Sequence, residues 1–467
     1  LNGHVQAAGD PRALRYLILA GDAAFRMYAI PESVAHYSRA LQSLEQAGAE
    51  RATVLHLYER LGRSYELVAD WDRALSTYDQ LEQLGQQRAD RQMELISLMD
   101  QATIRSTTNP ATDAAQGSEL LARARSLAQE LDDQAAEAKI LWLLMMNSFV
   151  SGGDLQQRIE FGEASLALAR KLNLREQMAY TLHDLWFTYP GIDRWDKVQA
   201  VLEESRGLWN ELGNLPMLAE SLTRSCWVHM TLGEYEQAIA ASQEAFRVAE
   251  QGRNQEGQAL SLSLIGHVHF DLGHIDAALA DMQHAITLGE PMRTISVRTG
   301  TRADLGWLFG WLGRVEHGLG LANQAYDEAR RVFPSIRPWA GSWLTRLHLL
   351  QGDLARAEAV QADLGDFRKL KVSFGFMLPI WVGTGLSTIE LAIAKGDFAQ
   401  AEAHADDLLG LLRGGHVRFW LPDALELKAR ALRALGEAGP ARQVLEEALA
   451  EAEALGSRRI LWRILAD

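Results

Sequence analysis

A recurrence near 40 residues constrains this chain more than any other feature. Aligning the compact residue that opens the second half of each unit gives Ser33, Ala74, Ser118, Arg158, Val198, Ala238, Ala278, Gly318, Ala357, Ala401 and Ala441. The successive separations are 41 and 44, then five of 40, then 39, 44 and 40 residues. Five equal steps in a row require a repeated supersecondary unit, stacked so that each unit buries its apolar face on its neighbours. Turn signals recur in phase. Gly233, Gly273, Gly313, Gly352, Gly396 and Gly436 each stand where the first element of a unit should end, as a left-handed C-terminal cap demands. Pro31, Pro216, Pro338, Pro422 and Pro440 sit near helix starts, where a missing N–H costs little. With only 11 prolines in 467 residues, the composition favours helix throughout.

One unit carries a fuller motif: Tyr58, Leu61-Gly62, Tyr65, Ala74 and Tyr78. This is aromatic-x2-Leu-Gly-x2-Tyr followed by Ala-x3-aromatic, the spacing of the tetratricopeptide (TPR) pattern. Small residues at the Gly and Ala positions let two antiparallel helices approach, and the large residues fill the gap between hairpins. A 40-residue period also falls near HEAT-type lengths, and the in-phase signatures decide for TPR-like hairpins with lengthened helices. The expectation is an all-α, right-handed superhelical solenoid of about eleven TPR-like helix hairpins. They fall near 13–50, 55–90, 91–131, 135–171, 175–212, 216–251, 255–289, 293–331, 338–365, 376–413 and 421–456, in a single array over 1–467.

Two segments resemble a known family. Ala20-Gly21-Asp22-Ala23-Ala24, with Tyr28-Ala29-Ile30-Pro31-Glu32-Ser33-Val34-Ala35-His36-Tyr37-Ser38-Arg39-Ala40-Leu41, looks like the first sensor repeat of large signal-transducing (STAND) ATPases. The long repeats that follow resemble the C-terminal superhelical sensor of that family, as in transcriptional activators of the MalT type and bacterial nucleotide-cyclase relatives. The resemblance implies a ligand- or partner-sensing region attached to an NTPase module. The chain departs from the family in showing no Gly-x4-Gly-Lys-Ser/Thr phosphate loop and no helix-turn-helix reader, so neither ATPase nor output activity is assigned to it. Both ends read as cut: the first repeat starts almost at once. Arg458-Arg459-Ile460-Leu461-Trp462-Arg463-Ile464-Leu465 reads as an apolar-periodic helix without a polar capping repeat. The chain is therefore expected to be part of a longer protein.

Charge and cysteine content narrow the partners. Against 61 acidic residues stand 46 basic ones, a net charge of −15, which disfavours direct binding to phosphate backbones. The single cysteine, Cys226, excludes an intramolecular disulfide and fits a reducing compartment. No run of 18 apolar residues and no basic-then-apolar leader occurs. A soluble, cytoplasmic protein that contacts neither nucleic acid nor membrane is expected.

In TPR arrays the first helix of each hairpin lines the concave face. The position after the Leu-Gly pair gives Asp22, Arg63, Thr107, Asn147, Phe187, Trp227, His267, Trp307, Arg346, Glu390 and Arg430. Four successive members are aromatic. Four residues earlier stand His183, Thr223, Ser263, Ala303 and Ser342, mostly small or polar. Flat rings with hydrogen-bonding neighbours suit a sugar, a nucleobase or an extended peptide. The competing reading makes the rings hairpin core. Cys226 reads as packing. Between 291 and 346, eight arginines (Arg293, Arg298, Arg302, Arg314, Arg330, Arg331, Arg337, Arg346) face four acids. They form either an anion site or a surface of ordinary ion pairs. Five of the 13 tryptophans lie between 307 and 381. The two 44-residue steps place insertions near 84–113 and 366–384, the second aromatic and basic. Pro190 should end a helix early beside Phe187. The groove candidates are His183, Phe187, Trp227, His267, Arg302, Trp307, Trp311, Trp339 and Arg346.

No catalytic constellation stands out. His267 and His269 diverge by about 200° on a helix and cannot chelate one metal from it. Gly318-Leu319-Gly320 follows no strand and is no dinucleotide loop. Gly-x-Ser-x-Gly does not occur. No enzyme, metal or cofactor is expected. The chain reads as the sensing region of a signalling or transcription-regulatory ATPase, binding a protein, peptide or small-molecule inducer in its groove. The alternative is a TPR adaptor that holds a partner's peptide or helix.

Overall fold

The computed structural model describes residues 11–27, 29–47, 49–192, 194–292, 296–332, 334–369 and 378–466. Among them are 23 α-helices and no strand. The chain divides into two compact units, Leu1–Gln177 and Met178–Asp467.

The first unit holds four hairpins: α1 (Pro11–Arg26) with α2 (Ile30–Ala47), α3 (Arg51–Leu67) with α4 (Trp71–Arg88), α5 (Arg91–Ser106) with α6 (Ala114–Glu130), and α7 (Gln134–Val150) with α8 (Leu155–Lys171). The boundary between units falls inside α9 (Arg175–Leu185), which pairs with α10 (Trp195–Glu211). The second unit continues with α11 (Leu215–Leu232) and α12 (Tyr235–Gln251), α13 (Gln255–Asp271) and α14 (Ile275–Met292), and α15 (Arg302–Trp311) and α16 (Val315–Val332). It closes with α17 (Arg337–Gln351) and α18 (Leu354–Leu364), α19 (Leu378–Ala394) and α20 (Phe398–Gly414), α21 (Leu421–Ala434) and α22 (Ala438–Leu455), and a last helix, α23 (Arg458–Ala466). The architecture is a TPR-like helical solenoid.

The local reasons are the anticipated ones. All six in-phase glycines, from Gly233 to Gly436, adopt positive φ between 77° and 85°, the conformation that releases the chain from a helix at least cost. Starts are capped by Asx side chains: Asp133 accepts from the Ala136 N–H at 2.9 Å and Asn214 from that of Met217 at 3.2 Å. A Cβ on Gly62 would collide with the Tyr78 ring, and one on Gly21 with Tyr37. The small residue of the first helix is therefore the seat of the aromatic on the second. At Gly306 and Gly318 the two backbones approach so closely that a methyl on either would strike the other's carbonyl.

Register differs in one hairpin. Ser118 is exposed, and the buried small residue at the helix contact is Gly117, seated against Asn147 and Ser106. The cause lies just upstream. The extra residues of the first long step form the loop between α5 and α6, pinned by Asn109, whose amide donates to the Ile104 carbonyl at 2.7 Å. Of the second insertion, residues 370–377 lie outside the described residues, as does Arg293. Its flanks are core, with Phe367 and Trp381 buried. The break at Pro190 occurs as expected: α9 stops at Leu185, and Tyr189–Ile192 form a 3-10 turn.

Within the second unit, sequence-distant segments meet. The Arg418 N–H donates to the Thr231 carbonyl at 2.8 Å. Leu455 covers Gly233, Arg458 covers Gly273, and the Trp462 ring meets Trp311 edge-on at 6.0 Å. Residues three or four apart along the C-terminal stretch thus touch residues 40 or 38 apart near the ends of α11, α13 and α15. α23 buries Ile460 and Ile464, while Trp462 and Leu465 remain exposed.

Candidate functional site

The first helices of the second unit's hairpins build the site. α13 contributes His267, Phe270 and Asp271; α15 contributes Asp304, Trp307 and Trp311; α17 contributes Trp339, Trp343 and Arg346. Glu390 comes from α19, Asp423 and Glu426 from α21, and Arg459 and Arg463 from α23.

Asp304 is its polar hub. Buried, it accepts hydrogen bonds from the indole N–H groups of Trp339 (2.9 Å) and Trp343 (2.6 Å) on one oxygen. Its other oxygen lies 3.1 Å from His267 Nε2, without hydrogen-bond alignment. The pinned Trp343 stacks on Trp307, centroids 5.3 Å apart and planes at 17°. The Arg346 guanidinium lies over both rings, 4.0 Å from Trp307 and 5.0 Å from Trp343. It is itself clamped by both oxygens of Glu390 at 2.8 Å. A bidentate, ring-stacked arginine with 2% exposed side chain is a rigid anchor.

A second network joins the far end of the chain to this wall. Arg459 donates to both oxygens of Asp423 at 2.8 and 2.7 Å and to Asp271 at 3.0 Å, a partner 188 residues away in sequence. Asp271 also accepts from the Tyr235 hydroxyl. Arg463 reaches Glu426 at 3.2 Å. Burial pushes the Asp271 carboxyl up, and Arg459 only partly opposes it. Burial acts the same way on Asp423 and Glu390, but there the facing Arg459 and Arg346 outweigh it and hold both carboxyls below their ordinary values. Together these groups leave a cavity of about 30 Å³ bordered by His267, Trp307, Arg346, Trp420 and Arg459, room for one or two waters.

The sequence-derived candidates thus fall into separate places. His267, Trp307 and Arg346 border the cavity. Trp339 stands behind it, holding Asp304. Trp311 packs edge-on against Phe270 at 5.5 Å and against Trp462. Arg302 is buried between Glu290 (2.8 Å) and Glu328 (3.4 Å), a structural pairing away from the cavity. Trp227 is buried with its ring N–H lacking a partner among the described residues. Phe187 packs edge-on against Trp186, and His183 lies 3.6 Å from Glu220. Three of the eight arginines of 291–346 pair with acids outside that window, Glu290 for Arg302, Asp363 for Arg337 at 3.4 Å, and Glu390 for Arg346, and Arg298 pairs with Glu328 inside it. Cys226 is fully buried, its thiol pushed up to about 12 by desolvation.

Several site residues escaped the sequence reading. Asp271 stands four residues after His267, one turn later along the same helix, as the candidate Trp311 stands after Trp307. Asp304 and Trp343 stand three residues before Trp307 and Arg346 on the same face. Arg459, Asp423 and Trp420 carry no local signal, because what brings them in is contact between α13 and the C-terminal stretch, 188 residues apart at Arg459 and Asp271.

Among the described residues no cluster of metal-ligating side chains occurs, and no helix is long and apolar enough to cross a membrane.

Comparison with known proteins gives the repeat its name. Residues 259–288 match the tetratricopeptide repeat. They cover most of α13 and α14, including His267, Phe270 and Asp271 of the site wall. No curated protein matches the chain in sequence. Among solved structures, a Rap protein complexed with competence and sporulation factor aligns over 96% of this chain and 99% of its own, with 11% identity and a TM-score of 0.47. A STAND signal transduction ATPase with a tetratricopeptide repeat sensor from Pyrococcus horikoshii aligns over 70% of this chain, with 14% identity and a TM-score of 0.43. The aligned part is 51% of that protein. Aspartyl phosphate phosphatase F from Bacillus subtilis aligns over 96% of this chain and 94% of its own, with 13% identity and a TM-score of 0.43.

Proposed function

We propose that this TPR-type repeat protein acts by binding rather than catalysis, and that the inner wall of its second unit receives a peptide segment of a partner protein. The observation carrying this reading is the pairing of rigid aromatic faces with buried, hydrogen-bonded charges: Trp307 on Trp343, Arg346 over both, Asp304 and Glu390 behind them. A side chain entering the cavity would meet Trp307, Trp343 and Arg346 on its border, rings for packing and a fixed charge for orientation. A free cavity of about 30 Å³ is far below the several hundred Å³ that enclose a drug-sized ligand. This favours a segment laid along the helix ends over a sugar or nucleobase held in a chamber.

The sensor reading places the same wall in a larger signalling protein. Residues 20–41, with their likeness to a STAND sensor repeat, favour it; an attached NTPase module would then respond to occupancy of the wall. The location that suits either reading is the cytoplasm.

A peptide-array screen on the full chain, repeated with Trp307→Ala, tests the proposal. Peptides selected by the wild-type chain should lose at least about tenfold in affinity on the variant, the scale of one central aromatic anchor. Undiminished binding by Trp307→Ala would place the interaction elsewhere. A sugar or nucleotide that raises the melting temperature of the wild type and not of the variant would transfer the site to a small-molecule inducer.

A further inference from the structure

We infer that α23 is an internal occupant of this wall, and that the surface beneath it is an acidic receptor for arginine-bearing helical peptides. The inference rests on the peptide reading and names the ligand class.

The argument starts from charge. The carboxylates facing the C-terminal stretch are Asp271 on α13, Asp423 and Glu426 on α21, and, nearby on α19, Glu390. The cations that neutralise the first three are mainly the guanidiniums of α23: Arg459 on Asp271 and Asp423, and Arg463 on Glu426. Of the wall's own arginines, none forms an ion pair with Asp271 or Asp423 among the described residues, and Arg430 shares Glu426 with α23. Arg346 is clamped to Glu390, and Arg430 stands 3.6 Å from Glu426 on its own helix. With α23 lifted away, water reaches Asp271 and Asp423 but no cation is in contact with them, and their spacing, already set for a guanidinium, favours its recapture.

Geometry adds a template. Leu455, Arg458 and Trp462 meet Gly233, Gly273 and Trp311 in order. Leu455 is the last residue of α22, so α23 itself spans the ends of α13 and α15, setting Arg458 and Trp462, four residues apart, on Gly273 and Trp311, 38 residues apart. Gly273 has no side chain to obstruct it. Arg459 also lies over the Phe270 ring at 5.6 Å. α23 itself is short, nine residues, and leaves Trp462 and Leu465 exposed. It is anchored by two buried isoleucines and two arginines, and a partner helix with the same arginine spacing and more apolar contact would replace it. Arginines at i and i+4, flanked by branched apolar residues, define the ligand.

The test uses a fluorescent synthetic peptide spanning residues 457–467 and the full chain. In Arg459→Glu/Arg463→Glu, repulsion from Asp271, Asp423 and Glu426 lifts α23 while leaving the wall intact. The peptide should bind this variant at least tenfold more tightly than the wild type. Adding Asp423→Asn/Glu426→Gln, or giving the peptide glutamates in place of its two arginines, should each cost at least tenfold. In the wild type, excess peptide should accelerate hydrogen exchange in α23, a readout that does not depend on the variants folding. Equal affinity for wild type and release variant without accelerated exchange, or equal binding of the charge-reversed peptide, overturns the inference. Array peptides that remain sensitive to Trp307→Ala while the 457–467 peptide fails would leave the groove standing and remove only its arginine-helix class.

Discussion

Arg459→Ala removes the guanidinium that links Asp423 to Asp271 and leaves both carboxylates buried against each other. Breaking a buried pair in this way costs about 3–5 kcal/mol. The apolar anchorage of α23 is of the same size: Ile460 and Ile464 are buried at 1% and 5% exposure, worth about 1.5–3 kcal/mol each. The economical response is therefore local. α23 undocks, water reaches the two aspartates, and the hairpins remain folded. Opening should become easier by a factor of about 10²–10⁴. Hydrogen exchange read by mass spectrometry on fragments covering 458–466 measures that factor directly. Fragments from α11 and α13 should keep most of their protection. Unchanged exchange in α23 would refute the assignment of Arg459 as its anchor. Loss of protection throughout the second unit would refute the claim that the opening is local.

Gly233→Ala and Gly436→Ala both force alanine into positive φ, 80° and 85°, and each should lose about 1 kcal/mol on that account. Only at Gly233 does the new methyl also strike Leu455, so it should lose about 1–3 kcal/mol more in denaturant unfolding; equal losses would deny that Leu455 covers Gly233. Glu390 is held below its ordinary value of 4.5 by Arg346. Its contribution to stability is complete above that value and disappears as the pH falls through the lowered folded value. Thermal melts taken from about pH 5 downward should fall less steeply for Glu390→Gln than for the wild type, and parallel curves would show that the pair contributes nothing.

Most of the architecture was legible because periodicity is a property of neighbouring residues. The eleven hairpins, the capping glycines and the early stop at Pro190 all follow from local rules of helix initiation and termination. The one register error, Ser118 for Gly117, arose where the loop pinned by Asn109 absorbs extra residues without a repeat signature. The site was half legible. His267, Trp307 and Arg346 border the cavity because equivalent positions in stacked hairpins share a wall. Arg302 reads the same way in sequence, yet it is consumed by Glu290 and Glu328. No spacing rule reveals whether a charge on a helix finds its partner on the next one. The role of α23 was hidden for a different reason. Its apolar period was plain, but the partner of Arg459 on α13 lies 188 residues away, a distance at which sequence pattern carries no information.

A double-mutant cycle between Asp271 and Arg459 measures that contact most directly. Asp271→Asn, Arg459→Ala and their combination are compared through the opening free energy of the α23 amides. A contact at 3.0 Å across 188 residues predicts a coupling of at least about 1.5 kcal/mol, the lower range found for close charge pairs. Additivity within about 0.3–0.5 kcal/mol, as expected of independent sites, would mean that α13 and α23 do not meet.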